Sequence, residues 1–180
     1  MHGQQQGFLL MRKLTFGVCL AVCLAVLTGS GMAKNLDGGP ADVVPEAIAK
    51  AQAECRAQPY SMLITVRNIR EAKGFLTMDI HGDDPATFLK KGTKIGRVRV
   101  WATKGETQAC APVPHPGLYG VGIYQDKNAN FILDKGLFGI PAEPYGVSND
   151  PPMHFGLPKF ADSAVKVEGP LTPVTITLHN

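Results

Sequence analysis

The chain has 180 residues, 44% hydrophobic and 18% charged, which is enough for one globular core and too little for two comfortable ones. Its formal charge of +3 does not point to a nucleic-acid partner, because the excess sits in an N-terminal segment that reads as a removable leader. Losing residues 1–33 takes Arg12 and Lys13 and no acid, so 18 basic residues fall to 16 against 15 acidic ones.

Met11-Arg12-Lys13 is the positive start of a signal peptide, and Leu14 to Leu27 is its apolar stretch. Gly31-Met32-Ala33 offers small residues where a signal peptidase reads, which predicts cleavage after Ala33. Met1 to Phe8 then reads as an upstream extension. The apolar run is too short for a membrane-spanning helix of about 20 residues, so no stable span is expected after cleavage. Cys19 and Cys23 leave with the leader. The remaining pair, Cys55 and Cys110, is predicted to form one disulfide in an exported, periplasmic or secreted chain. Two redox thiols are the alternative, without the close Cys-x-x-Cys spacing that such chemistry uses.

Residues 34–54 read as a linker with a short helix over Pro45 to Ala53, where Pro suits the first turn. Residues 55–180 carry strand signals. Met62, Ile64 and Val66 alternate with Leu63, Thr65 and Arg67 over Ser61 to Ile69, and Leu76 and Met78 resume the alternation over Phe75 to Ile80, which predicts a hairpin of the two. Asp84-Pro85 to Gly92 has the cap, proline and terminal glycine of a one- or two-turn helix. Ile95 to Ala102 places Val98, Val100 and Ala102 inward and Arg97, Arg99 and Trp101 outward. That outward row is either a binding surface or a solvated strand face. Thr107 to Ala111, Gly117 to Gln125, Ala164 to Val167 and Val174 to Leu178 complete the series. About seven short strands with one or two short helices predict an all-β chain, an antiparallel β-sandwich.

The strand Gly117 to Gln125 feeds Asp126-Lys127-Asn128-Ala129-Asn130. Side-chain oxygens on Asp126, Asn128 and Asn130, the Ile132 carbonyl and Asp134 recur at the alternate places of a calcium loop. Phe131 stands where such a loop turns on Gly, and Leu137 where a bidentate Glu closes the shell. Completing the site would need Glu143 or Asp150 to fold back. The competing reading gives the same residues to Asx turns in a long connection.

The order Pro116-Gly117-x-Tyr119-x-Val121, Asp126-x-Asn128-x-Asn130-x-x-x-Asp134, Gly139-Ile140-Pro141-x-Glu143-x-Tyr145-Gly146-x-Ser148-Asn149 resembles the bacterial family called domain of unknown function 2141. The likeness extends to Pro158-x-Phe160-x-Asp162 and to Phe88-Leu89. It implies an exported sandwich similar to transthyretin-like or carboxypeptidase-regulatory modules, within the transthyretin-like or Ig-like fold class, with no established activity. Gln125 and Phe131 replace a His and a Gly that the family often has.

The favoured function is a non-catalytic envelope module that binds a protein partner, a glycan or calcium through residues 126–149. A hydrolase can be assembled from Ser148, His154 and Asp150 or Asp162, without the Gly-x-Ser-x-Gly elbow. Copper handling by His115, Met153, His154 and His179, or a purely structural envelope role, are the other readings.

Overall fold

The period-2 alternation becomes two facing sheets in a computed structural model that describes residues 43–152 and 156–179. The predicted leader, with Cys19 and Cys23, lies outside the described residues, as do Met153 and His154.

A helix α1, Pro45–Arg56, precedes β1, Ser61–Ile69. There follow β2, Phe75–His81, β3, Gly96–Trp101, β4, Gly105–Pro112, and β5, Gly117–Asp126. The chain closes with β6, Tyr145–Val147, a four-residue helix α2, Phe160–Ser163, then β7, Val165–Val167, and β8, Thr172–Thr177. The first sheet has the order β4-β1-β8 and the second β3-β2-β5-β6, with β7 beside the start of β5. The fold is all-β and sandwich-like, with eight strands among the described residues and one parallel pair, β1 with β8.

Met62, Ile64 and Val66 of the first sheet face Leu76, Met78, Ile80, Val98, Val100, Val121 and Ile123 of the second, all buried. Burying a side chain of this size contributes about 1.5–3 kcal/mol, so this seam dominates the stability of the domain.

The predicted β1–β2 hairpin does not form. β1 pairs with β4 and β8, whereas β2 pairs with β3 and β5. Alternation marks a strand with one buried face, and it reads the same whether the next strand lies alongside or across the core. The crossover is pinned where Gln125 Nε2 donates to the carbonyls of Glu71 and Lys73, at 2.9 and 2.8 Å. Gly74 then turns with φ +65°, and a Cβ there would sit 1.8 Å from the Asp126 carbonyl oxygen.

The predicted helix at 84–92 is a chain of turns. Asp84 Oδ1 accepts the Ala86 N–H, Thr87 N–H bonds the Asp84 carbonyl and Lys90 N–H that of Thr87. Leu89, at φ +57°, breaks any helical continuation. The segment lies flat on the outer face of the second sheet because β5 has Gly120 under Phe88 and Gly122 under Leu89; a Cβ at either would come within 2.6 Å of those rings and methyls. Phe88 packs there with Val147 and Phe160 as a second, smaller core.

Side chains cover one position at each margin of the first sheet. On β4, Cys110 N–H donates to Gln52 Oε1 at 2.6 Å and Gln52 Nε2 donates to the Cys110 carbonyl at 3.1 Å, so an amide on α1 takes the place of a neighbouring strand. The Cys55–Cys110 disulfide forms as expected, with Cα atoms 5.9 Å apart, and holds α1 there. On β8, the Asp150 carboxylate accepts Thr177 N–H and Oγ1–H, both at 2.8 Å.

Candidate functional site

β5 ends in the excursion 126–149, and a short β6 brings it home. Gln125 N–H bonds the Pro144 carbonyl, and β6 pairs Gly122 with Val147 and Tyr124 with Tyr145. At the far end Tyr145 and His179 exchange backbone hydrogen bonds of 3.1 and 2.8 Å, which stitches the second sheet to the end of the first.

The Asp- and Asn-rich turn is braced from inside. Asp126 is fully buried; its Oδ1 accepts Asn130 N–H at 3.1 Å and its Oδ2 accepts Phe131 N–H at 2.7 Å. Asn128 Oδ1 accepts Asn130 N–H, and Asn130 Oδ1 accepts Ile132 N–H. Their amide groups both donate to Asp134, at 2.7 and 3.0 Å. These are Asx-turn contacts, and they bring Asp126, Asn128, Asn130 and Asp134 into one small knot. Ile132 joins it through its N–H, while its side chain is 64% exposed.

Phe131 makes the sharp turn that the spacing reserves for Gly, at φ +65°. Its ring rests against Phe75, and the Arg99 guanidinium lies 5.1 Å from its centre. Arg99 is thereby buried, contrary to the outward, solvated place expected of it. The alternation gave its face correctly, but nothing in the local sequence shows that Phe131 covers that face. Trp101, on the same face, is 45% exposed.

Glu143 folds back onto this knot. Its carboxylate accepts Lys127 N–H at 2.8 Å and Asp134 N–H at 3.2 Å, joining the two ends of the turn. Burial holds its pKa above the ordinary range, opposed by those two hydrogen bonds and reinforced by the charges of Asp126 and Asp134. Asp150 goes elsewhere, to β8.

Among the described residues, no group of three His, Cys, Asp or Glu side chains is gathered as a metal would require. Each side-chain oxygen of the knot already accepts an N–H, and both Asn amides turn nitrogen toward Asp134. A cation there would need those amides to swing their oxygens inward.

Beyond the knot the excursion runs through an isolated bridge between Lys135 and Pro141 and a single 3-10 turn, Leu137–Gly139. Ala142 N–H bonds the Asp134 carbonyl at 2.8 Å and Gly136 N–H bonds that of Ile140 at 2.8 Å. The tip is therefore ordered by backbone pairing, yet it leaves Ile132, Leu137 and Ile140 exposed at 64, 83 and 60%. In the sequence Ile132 enters as a carbonyl ligand, Leu137 as a replaced Glu and Ile140 as part of the family pattern, none of them marked as exposed apolar surface. Their signal is that they stand in a segment otherwise made of turn-formers.

Ser148, the nucleophile of the hydrolase reading, is fully buried. Its Oγ accepts Val121 N–H at 3.0 Å and donates to the Ser163 carbonyl, so it extends the β5–β6 ladder by one rung and ties it to α2. No substrate carbonyl reaches an oxygen so placed. His115 bonds Pro116 and Tyr119, and His179 packs on Tyr145.

A family model described as an uncharacterized protein conserved in bacteria (DUF2141) matches residues 64–175. No curated protein matches, and no solved structure does.

Proposed function

The chain belongs to the bacterial family of domain of unknown function 2141, and from that premise we propose a non-catalytic binding module, exported to the cell envelope, whose contact surface is the excursion 126–149. One observation carries this reading. The excursion is held by a dense set of its own hydrogen bonds while its tip presents Ile132, Leu137 and Ile140 to solvent. A loop whose only task is to connect two strands has no need of three exposed aliphatic side chains on an ordered excursion; apolar side chains so concentrated point to a contact site. Export is supported by the leader pattern of residues 11–33 and by the Cys55–Cys110 disulfide, which belongs to oxidising compartments. Among the described residues no helix is long and apolar enough to cross a membrane.

The partner is an envelope protein or glycan. A photo-reactive amino acid placed at 137 in the producing bacterium, with a second at exposed Glu106 on the far sheet, tests this. A discrete adduct at 137 only, lost when Ile132 and Ile140 are changed to Ser, is the expected result. No adduct at 137 in cells where the protein is made and folded overturns it and leaves the structural envelope role.

Calcium is the second reading, favoured by two specific features. Phe131 adopts the left-handed turn, with its N–H on the Asp126 carboxylate, that a calcium loop needs at its sixth place, and Glu143 supplies a carboxylate from outside the loop. Asp126, Asn128, Asn130 and Asp134, with the Ile132 carbonyl, would hold the ion. Calorimetry and melting with millimolar calcium test it: no heat and no shift retire the metal.

A further inference from the structure

The segment between β2 and β3, residues 82–95, crosses the outer face of the second sheet as a strap. Its turns are bonded to one another: besides the Asp84 contacts, Thr93 Oγ1 donates to the Thr87 carbonyl at 2.6 Å. Phe88 and Leu89 seat it on the sheet, over Gly120 and Gly122. The register puts His81, the last residue of β2, opposite Gly120, and its ring meets the Phe88 ring nearly at right angles, with centroids 5.5 Å apart.

His81 is 3% exposed, and its Nδ1 is sealed from solvent with no hydrogen-bond partner among the described residues. Burial lowers its pKa from the ordinary imidazole value; the Asp79 carboxylate opposes this and the Lys94 ammonium adds to it. Asp79 is already engaged by the Arg97 guanidinium at 2.6 Å, and β5 offers only a glycine opposite the ring. Asp83, Asp84, Lys90 and Lys91 of the strap, like Lys159 and Asp162 at α2, are exposed. An imidazolium carries a proton on both nitrogens, so its Nδ1–H would be buried without an acceptor while the strap is down. We propose that the strap is an acid-released latch: protonation of His81 lifts residues 82–95 from the sheet and bares Phe88 and Leu89, with Val147 and Phe160 beneath, as an apolar surface. With the strap down the chain binds this proton less readily than with it lifted. The latch therefore holds above the ordinary imidazole pKa and loosens as pH falls below it. The strap shares no residue with the exposed aliphatic tip and does not depend on a partner there.

Hydrogen exchange of the purified protein, read by mass spectrometry from pH 7.5 to 5 and corrected for the intrinsic rate, provides the test. Opening of peptides within 82–95 should grow as pH falls, toward the single-proton limit of about tenfold per pH unit, while a peptide of β1 stays protected. His81→Phe, and independently His81→Gln, should flatten that dependence, whereas His115→Asn and His179→Asn leave it in place. In the parent, the His81 ring followed by NMR should gain its proton below the ordinary imidazole value. Strap exchange that does not change with pH, a dependence that keeps its slope in both His81 variants, equal opening of β1, or a His81 that titrates at the ordinary value overturns the proposal.

Discussion

Ser148→Ala should cost this domain far more than the same exchange at Ser163, though both serines are fully buried. Ser148 Oγ serves two groups that no other element reaches: Val121 N–H, left over where β6 stops at Val147, and the Ser163 carbonyl. A buried donor or acceptor stranded by mutation costs about 1–3 kcal/mol, so two of them cost roughly 2–6 kcal/mol. Ser163 Oγ makes one local bond, to the Lys159 carbonyl four residues back, and its loss costs about 0.5–1.5 kcal/mol. Urea denaturation resolves the difference. With a slope of about 2 kcal/mol/M, the Ser148 midpoint falls by about 1–3 M and the Ser163 midpoint by under about 1 M. Equal losses at the two positions would refute the reasoning, because it rests on the number of partners and not on burial. Faster hydrogen exchange at Val121 in Ser148→Ala alone is the matching local signature.

Gly74→Ala should prevent folding or lower stability by several kcal/mol, about 4 or more, since the new Cβ meets a backbone oxygen in a left-handed turn; thermal melting beside Gly92→Ala, where nothing lies within 4 Å, separates the clash from the turn. Reducing Cys55–Cys110, or changing both to Ser, should cost about 4 kcal/mol in the chain-entropy model for a loop of 55 residues, read from denaturation with and without reductant. Glu143 governs a pH dependence: because its folded pKa lies above the unfolded one, the folded chain binds that proton more tightly, and this group's contribution falls as pH rises from the ordinary carboxylate range to the raised value. Glu143→Gln should remove that part of the slope in midpoints measured from pH 4 to 7, and identical slopes would contradict it.

How far the sequence foretold this structure depends on how local each cause is. Met62, Ile64 and Val66, or Tyr119, Val121 and Ile123, declare a buried face by alternation, and that face is where they lie. Their neighbours across the ladder are chosen by the crossover at 70–74, held by a side chain 52 and 54 residues from the carbonyls it bonds, so the hairpin expectation failed. Three residues of β6 are too few to show a period. At Arg99 the alternation was right and the solvent wrong, since the lid comes from Phe131. The spacing of Asp126, Asn128 and Asn130 is common to cation loops and to Asx turns. In both, oxygens must point into the same concavity, and only the placement of Glu143 and the amide nitrogens shows how this one is filled.

The contact between Gln52 and Cys110 gives the disulfide a second task. An extended segment from another molecule that approached β4 would find its docking position occupied by a glutamine amide, and that amide is leashed through the neighbouring turn of the same helix. While the Cys55–Cys110 bond is closed, that backbone position on β4 stays taken by the chain's own helix and is not open to a second strand.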